Sequence, residues 1–107
     1  KIIMSAKNIN NSLITVGKKG IKYRREDIGR VADLLLQFEN ISNSFVIAKL
    51  QDGSIGISCR TNDEKVNMQE IMLSFGGGGN KNRAGANLKN TTTNDIYDKI
   101  KDIAKNL

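Results

Sequence analysis

The sequence predicts an α/β domain, a mixed sheet with helices packed on it, and three observations carry that expectation. The hydrophobic spacing switches along the chain between the two-residue period of strands and the longer period of helices. Turn signals rich in Gly and Asn separate the periodic segments. With 107 residues and 38% hydrophobic content, the chain has the size and apolar content of a single domain, 1–107, around one core. The expected order is strand, helix, hairpin, helix, glycine run, strand and helix, which suits a sheet covered by helices.

After a polar lead, Ser12 to Val16 is a short, β-branched apolar run halted by Gly17, Lys18, Lys19 and Gly20, and it reads as a strand followed by a turn. From Asp27 the period changes. Ile28, Val31, Ala32, Leu35 and Phe38 recur three and four residues apart, with Arg25, Arg30, Asp33 and Gln37 around them. This spacing predicts an amphipathic helix that ends near Asn40, with Asp27 as the N-cap that accepts from the unpaired N–H groups of the first turn.

Ser44 to Leu50 is almost continuously apolar, Gln51-Asp52-Gly53 is a turn signal, and Ser54 to Arg60 alternates strictly, which together predict a hairpin. Successive side chains of a strand point to opposite sides. Ile55, Ile57 and Cys59 therefore share one face, and Ser54, Gly56, Ser58 and Arg60 the other. Small residues beside an arginine leave room for a ligand, although the solvent-facing side of an antiparallel sheet gives the same alternation. Asn67 to Phe75 reads as a short helix capped by Asn67, with Met68, Ile71, Met72 and Phe75 on its apolar side. Ala84 to Leu88 is expected as a strand. Thr92 or Thr93 caps a last helix whose core positions are Ile96, Ile100, Ile103 and Leu107.

Lysine and arginine number 17 against 11 aspartates and glutamates, a net charge of +6. A basic surface concentrates anionic ligands through its summed field, but a Lys-rich surface that keeps a protein soluble has the same balance. Cys59 has no partner cysteine, which excludes a disulfide framework and a cysteine zinc site and fits a reducing compartment. There is no run of about 18 apolar residues, and the first residues lack the apolar core and cleavage site of a signal peptide. The start at Lys1 suits a domain excised from a longer protein.

The chemistry-bearing feature is the run Gly76, Gly77, Gly78 and Gly79. Each glycine ordered in regular structure costs roughly 0.5–1 kcal/mol relative to alanine, so four in a row need an explanation. Successive N–H groups of such a backbone can converge on a phosphate oxygen. Asn80, Lys81, Asn82 and Arg83 add donors or positive charge, and an arginine can grip phosphate through two bonds at once. The run lacks the Lys-Ser/Thr ending of a P-loop and follows a helix instead of opening one, so a triphosphate site is not expected. On physical grounds alone, a flexible linker or a tight crossover accounts for the glycines nearly as well.

The segment FGGGGNKNRAGA, preceded by VNMQEIM and SFVIAKLQDGSIGISCR, resembles the C-terminal DHH-associated domain of DHH-type phosphoesterases, whose signature is a GGGGH run followed by small residues. The resemblance extends from about Asp27 to the last helix. Within that superfamily the pattern is most like the cyclic-di-AMP phosphodiesterases of the GdpP type, in which an ASFVI strand, an SxR strand and an NVQxIM helix precede the glycines. The resemblance implies a mixed α/β unit that closes over substrate beside a separate DHH domain of the same chain. That other domain holds divalent ions, usually manganese, through aspartates and histidines. No catalytic residue, metal ligand or bound cofactor is then expected here, and the domain alone should be inactive.

Residue by residue, Ser58 and Arg60 match the strand that faces the nucleotide, Gly76 to Gly79 the phosphate-contacting loop, and Ala84 to Ala86 the small residues after it. Asn80 stands where the family has histidine, and the chain contains no histidine. Asparagine can donate a hydrogen bond but cannot carry the charge or exchange the proton of an imidazole, which leaves Lys81 or Arg83 to supply the charge. The implied ligands are a cyclic dinucleotide, a linear dinucleotide or a short RNA, with a homodimer as a further association. The implied location is cytoplasmic, including where the parent protein is anchored in a membrane. Two alternatives stand beside this reading. One is the nanoRNase and phosphoadenosine-phosphate phosphatase branch, ranked lower because of VNMQEIM. The other is an RNA-binding module like that at the end of alanyl-tRNA synthetases, which the charge favours. The scarcity of rings disfavours it, since Phe38, Phe45 and Phe75 all read as core residues.

Overall fold

The computed structural model describes residues 6–107; Lys1 and the start of the polar lead lie outside the described residues. Nine elements follow in order: β1 (Ala6–Ile9), β2 (Ser12–Val16), α1 (Arg25–Leu35), β3 (Asn43–Lys49), β4 (Ile55–Thr61), α2 (Met68–Leu73), β5 (Gly78–Gly79), β6 (Arg83–Leu88) and α3 (Thr93–Ala104). The strands form one mixed sheet in the order β1-β2-β3-β4-β6-β5. Only the β2–β3 pair is parallel, and α1 makes the crossover between those two strands.

The polar lead contains a strand that alternation does not reveal. β1 has no apolar face, and a two-residue turn folds it back on β2. Asn10 and Asn11 have φ of 50° and 67°, the left-handed pair that a tight hairpin turn needs and that asparagine tolerates.

α1 begins at Arg25, ahead of the expected start, and Asp27 is its third residue instead of its N-cap. The Asp27 carboxylate reaches back 3.4 Å to accept from the Arg24 backbone N–H, the glutamate-like half of a capping box. The helix also stops at Leu35, short of Asn40, which takes φ of 65° in the following turns. Phe38 consequently lies outside the helix and is 61% exposed, so it is not a core residue, and Ile41 fills the core beyond it. α2 and α3 are capped as their sequences require: Asn67 accepts from the Glu70 N–H and Thr92 from the Asp95 N–H, both at 3.1 Å. Ile96 and Ile100 are buried, whereas Leu107 lies past the end of α3 and is exposed.

The two faces of the sheet are covered differently. On one, Ile55, Ile57 and Cys59 join Phe45, Ile47, Met68, Met72, Ile96 and Ile100 in the larger core beneath α2 and α3. On the other, α1 packs Ile28 and Ala32 against Val46, Ala48 and Leu50. The alternation of β4 is therefore buried on both sides, and Ser58 lies under α1, away from solvent. Cys59 donates to the Ala84 carbonyl at 3.3 Å, and burial pushes its thiol from the usual 9.0 up to about 12, so it stays a neutral thiol. No helix among the described residues is long and apolar enough to cross a membrane.

Candidate functional site

A cleft of about 470 Å³ opens between α1 and the paired strands β4 and β6. The antiparallel register sets Arg60 opposite Arg83 and Ser58 opposite Gly85. Side chains four residues apart share one face of a helix, so α1 lays Arg25, Gly29 and Asp33 along the same opening. Arg30 and Glu26 stand at its rim. Four guanidinium groups thus share the cleft with two carboxylates, a local excess of positive charge.

Arg60 is held from three sides. Its Nε donates to Asp33 Oδ1 at 2.7 Å, Nη1 to the Cys59 carbonyl at 2.9 Å, and Nη2 to the Gly29 carbonyl at 3.4 Å. Only 11% of the Arg60 side chain is exposed. The helix passes this close because residue 29 is glycine: a Cβ there would lie 3.2 Å from Arg60 Nη2. Glycine inside a helix costs about 1 kcal/mol, and the room for Arg60 accounts for it here.

Arg25 is a second fixed cation. Its part-buried guanidinium donates to the Ile57 carbonyl at 3.1 Å, Ser58 Oγ at 3.4 Å, the Ala86 carbonyl at 2.8 Å and Asn87 Oδ1, so it bridges β4 and β6. It forms no ion pair with a described residue. Burial and then the neighbouring charge of Arg60 hold its pKa below the ordinary arginine value. Arg83 and Arg30 are freer. Arg83 is 58% exposed and comes only within 4.0 Å of Asp33, and Arg30 has no hydrogen bond or ion pair among the described residues.

The glycine run borders this cleft through β6 and does not line it. Gly76 has φ of 77° and closes α2: its N–H donates to the Leu73 carbonyl at 3.0 Å, and that of Gly77 to the Met72 carbonyl at 2.8 Å. These two bonds form the left-handed stop that glycine favours. Gly78 and Gly79 are the edge strand. Since the Asn80 N–H donates to the Arg83 carbonyl at 2.8 Å, the antiparallel alternation makes Gly78 the bonded partner of Gly85 and turns the Gly79 N–H toward the open edge. Of the four N–H groups, three have backbone partners. Gly77 and Gly79 also lie hard against β6, where added Cβ atoms would come 2.6 Å from Ala86 Cβ and 2.5 Å from Ala84 Cα. The crossover geometry thus accounts for most of the run.

Asn80 shapes the turn into β6. Its Oδ1 accepts from the N–H groups of Asn82 and Arg83 at 2.9 and 3.0 Å, which fixes where Arg83 leaves the turn. Sequence reasoning brought forward Ser58, Arg60 and Arg83, which the structure gathers in one cleft. It passed over Arg25, Arg30 and Asp33 as the polar face of a helix. The signal that marks them is the spacing of Arg25, Gly29 and Asp33, with a costly glycine in the middle.

A sequence profile of the family described as "DHHA1 domain" matches residues 9–106. The cyclic-di-AMP phosphodiesterase GdpP of Geobacillus thermodenitrificans is 39% identical over 75 residues, covering 70% of this chain and 11% of that protein. A membrane protein–large ribosomal subunit bL9 fusion protein of Aster yellows witches'-broom phytoplasma is 30% identical over 105 residues, covering 98% of this chain and 12% of that protein. The chain thus spans only 11–12% of the length of these curated relatives. An exopolyphosphatase-related protein from Bacteroides fragilis superposes with a TM-score of 0.74 at 20% identity, over 96% of this chain and 32% of that one. This last likeness is one of fold.

Proposed function

The chain belongs to the DHHA1 domain family, and from that premise we propose that it is the substrate-binding domain of a DHH-type phosphodiesterase, holding the phosphate of cyclic di-AMP or a related dinucleotide in the arginine cleft. The observation that carries this reading is the set of four guanidinium groups against two carboxylates in one cleft. Two of the four, Arg83 and Arg30, line the opening without a hydrogen-bonded carboxylate. A guanidinium can grip a phosphate through two parallel charge-assisted bonds, so unpaired ones in a concave site suit that ligand.

In this reading each residue has a distinct part. Arg83 and Arg30 reach the phosphate oxygens, and Ser58 Oγ and the Arg60 guanidinium, fixed by Asp33, form the floor. Gly79 and Asn80 lie outside the cleft and act on it through the turn that leads into Arg83. Phosphodiester hydrolysis by a pair of metal ions needs clustered carboxylates or imidazoles. The described residues contain no group of three or more metal-ligating side chains, and Asp33 is committed to Arg60. The donor set of this domain therefore does not suit manganese, and the reading assigns the ions and the bond cleavage to the adjoining DHH domain on the cytoplasmic side.

Calorimetric titration of the 107-residue chain with cyclic di-AMP, its linear product and a short RNA tests the proposal. Binding of the dinucleotides that fails in an Arg83→Ala variant is the expected result. A chain that binds none of them, or binds them equally well without Arg83, rules the reading out.

A further inference from the structure

The chain carries 17 lysines and arginines against 11 carboxylate residues. The arginine cleft holds four of those cations and two of the carboxylates. A second opening, a groove of about 440 Å³, is lined by four lysines, Lys18, Lys19, Lys22 and Lys49, and by no carboxylate. Setting both linings aside leaves nine cations and nine carboxylates, which cancel. By count, the cleft lining carries an excess of two positive charges and the groove lining an excess of four, together equal to the net charge of +6. An evenly solubilising surface has no such distribution.

The groove lies at the opposite end of the sheet from the cleft. It opens where β2 and β3 end and β4 begins, and Ile55 contributes to its wall. On β4 the nearest lining residues of the two openings, Ile55 and Ser58, are three strand steps apart, roughly 10 Å, and point to opposite faces of the sheet. The loop that carries three of the lysines is tied down: the Gly17 N–H donates to the Ile47 carbonyl at 2.7 Å, and the Lys18 N–H to the buried Tyr23 hydroxyl at 2.9 Å. None of the four lysines forms an ion pair among the described residues. In the opposite wall the Thr92 hydroxyl caps α3, while the Thr91 and Thr93 hydroxyls have no hydrogen-bond partner among the described residues, so they stand beside the lysines as free contacts.

We propose that this groove is a second anion site, separate from the cleft, that takes the sugar–phosphate backbone of a single RNA strand. Lysine is a mobile, strongly hydrated point charge, suited to a row of phosphates whose positions vary, whereas a single fixed phosphate is better gripped by arginine. No aromatic ring lines the groove, so it holds charge without stacking bases and does not read sequence. Its concave shape suits a strand more than a flat lipid surface. The inference does not rest on dinucleotide binding in the cleft.

Fluorescence anisotropy with an oligoadenylate of about twelve residues, between about 50 and 200 mM salt, tests it. The comparison is the wild-type chain against Lys18→Gln, Lys19→Gln, Lys22→Gln and Lys49→Gln combined, with linear diadenylate and phosphatidylserine vesicles as parallel probes. Each phosphate neutralised on a single strand contributes a slope of about −0.7 in log affinity against log salt, so the variant should lose roughly 2–3 units of slope and at least about tenfold in affinity. Diadenylate binding, or its absence, should be the same in both proteins. If the combined variant melts early, the Lys19→Gln and Lys22→Gln pair should lose half the slope. An unchanged RNA slope overturns the proposal. So does an equal loss of diadenylate affinity, which would reduce the lysines to bulk charge, or lysine-dependent capture by vesicles without RNA binding.

Discussion

Arg83 and Arg60 face each other across β4 and β6, yet their replacement by alanine should produce opposite signatures. Arg83 is 58% exposed and only 4.0 Å from Asp33, so little of its contact energy belongs to the fold. Substitutions at such positions change stability by about 0.5 kcal/mol or less. A charge-assisted bond to phosphate is worth about 1.5–3 kcal/mol, so Arg83→Ala should weaken diadenylate binding by about 10- to 150-fold. Arg60, at 11% exposure with bonds to Asp33, Cys59 and Gly29, belongs to the fold as well as the site. Because Asp33 is 46% exposed, the pair lies between a surface ion pair and a buried one, and its loss should cost about 1–2 kcal/mol. For a domain of this size that lowers the melting temperature by roughly 4–12 °C. Thermal melts beside calorimetric titrations separate the two variants. If Arg83→Ala melts early and binds normally, the division between a fixed arginine and a reaching one is wrong.

The glycines allow a sharper comparison. Gly78→Ala meets no atom within 4 Å and should leave the melting temperature nearly unchanged, whereas Gly77→Ala collides with Ala86 and should cost about 1–3 kcal/mol. Lost binding in Gly78→Ala, with a normal melt, would show that this stretch touches ligand; equal melting of the two variants would contradict the crossover geometry. Cys59 makes stability depend on alkaline pH. Its folded pKa is raised, so its contribution is complete below the usual 9.0 and is lost as pH climbs toward about 12, where the unfolded thiol has ionised and the folded one has not. The stability difference between wild type and Cys59→Ala, followed by denaturant titration, should therefore shrink over that window and stay flat below it; a flat difference throughout counts against the burial of the thiol. Finally, contaminant-free chain with manganese should bind cyclic di-AMP and leave it intact. Turnover by this chain alone would move the chemistry into the domain described here.

How far the sequence reveals this molecule depends on which physical signal each part leaves. Strands and helices that bury a periodic face were legible: β2 has the expected bounds, and Asn67 and Thr92 cap the helices they precede. β1 was not, because a polar edge strand held by an Asn-Asn turn leaves no alternation. Phe38 continues the helical period on paper, but the helix ends three residues before it, and period alone does not mark where a chain turns away. At the site, Ser58 and Arg60 were visible because one strand carries both at a two-residue spacing. Arg25, Arg30 and Asp33 lie far from them in sequence, on a helix whose polar face reads as solvated until the strands beneath it are known.

The glycine run and the cleft are joined by geometry more than by shared contact. Gly77 and Gly79 let the chain come against β6 closely enough for β5 to pair with it, and Asn80 then ties the turn that delivers Arg83. A residue with a side chain at either glycine would push β5 off β6 and disturb the turn that leads into Arg83, although the β4–β6 ladder still sets Arg83 opposite Arg60. The run can therefore matter to phosphate binding even though three of its four N–H groups have backbone partners. The same geometry bears on Asn80 in place of histidine. Its carboxamide oxygen is the acceptor for two N–H groups of the turn, a structural task that needs no positive charge. The cations that a phosphate would meet are already supplied from α1 and β6, so charge lost at residue 80 need not be charge lost to the cleft.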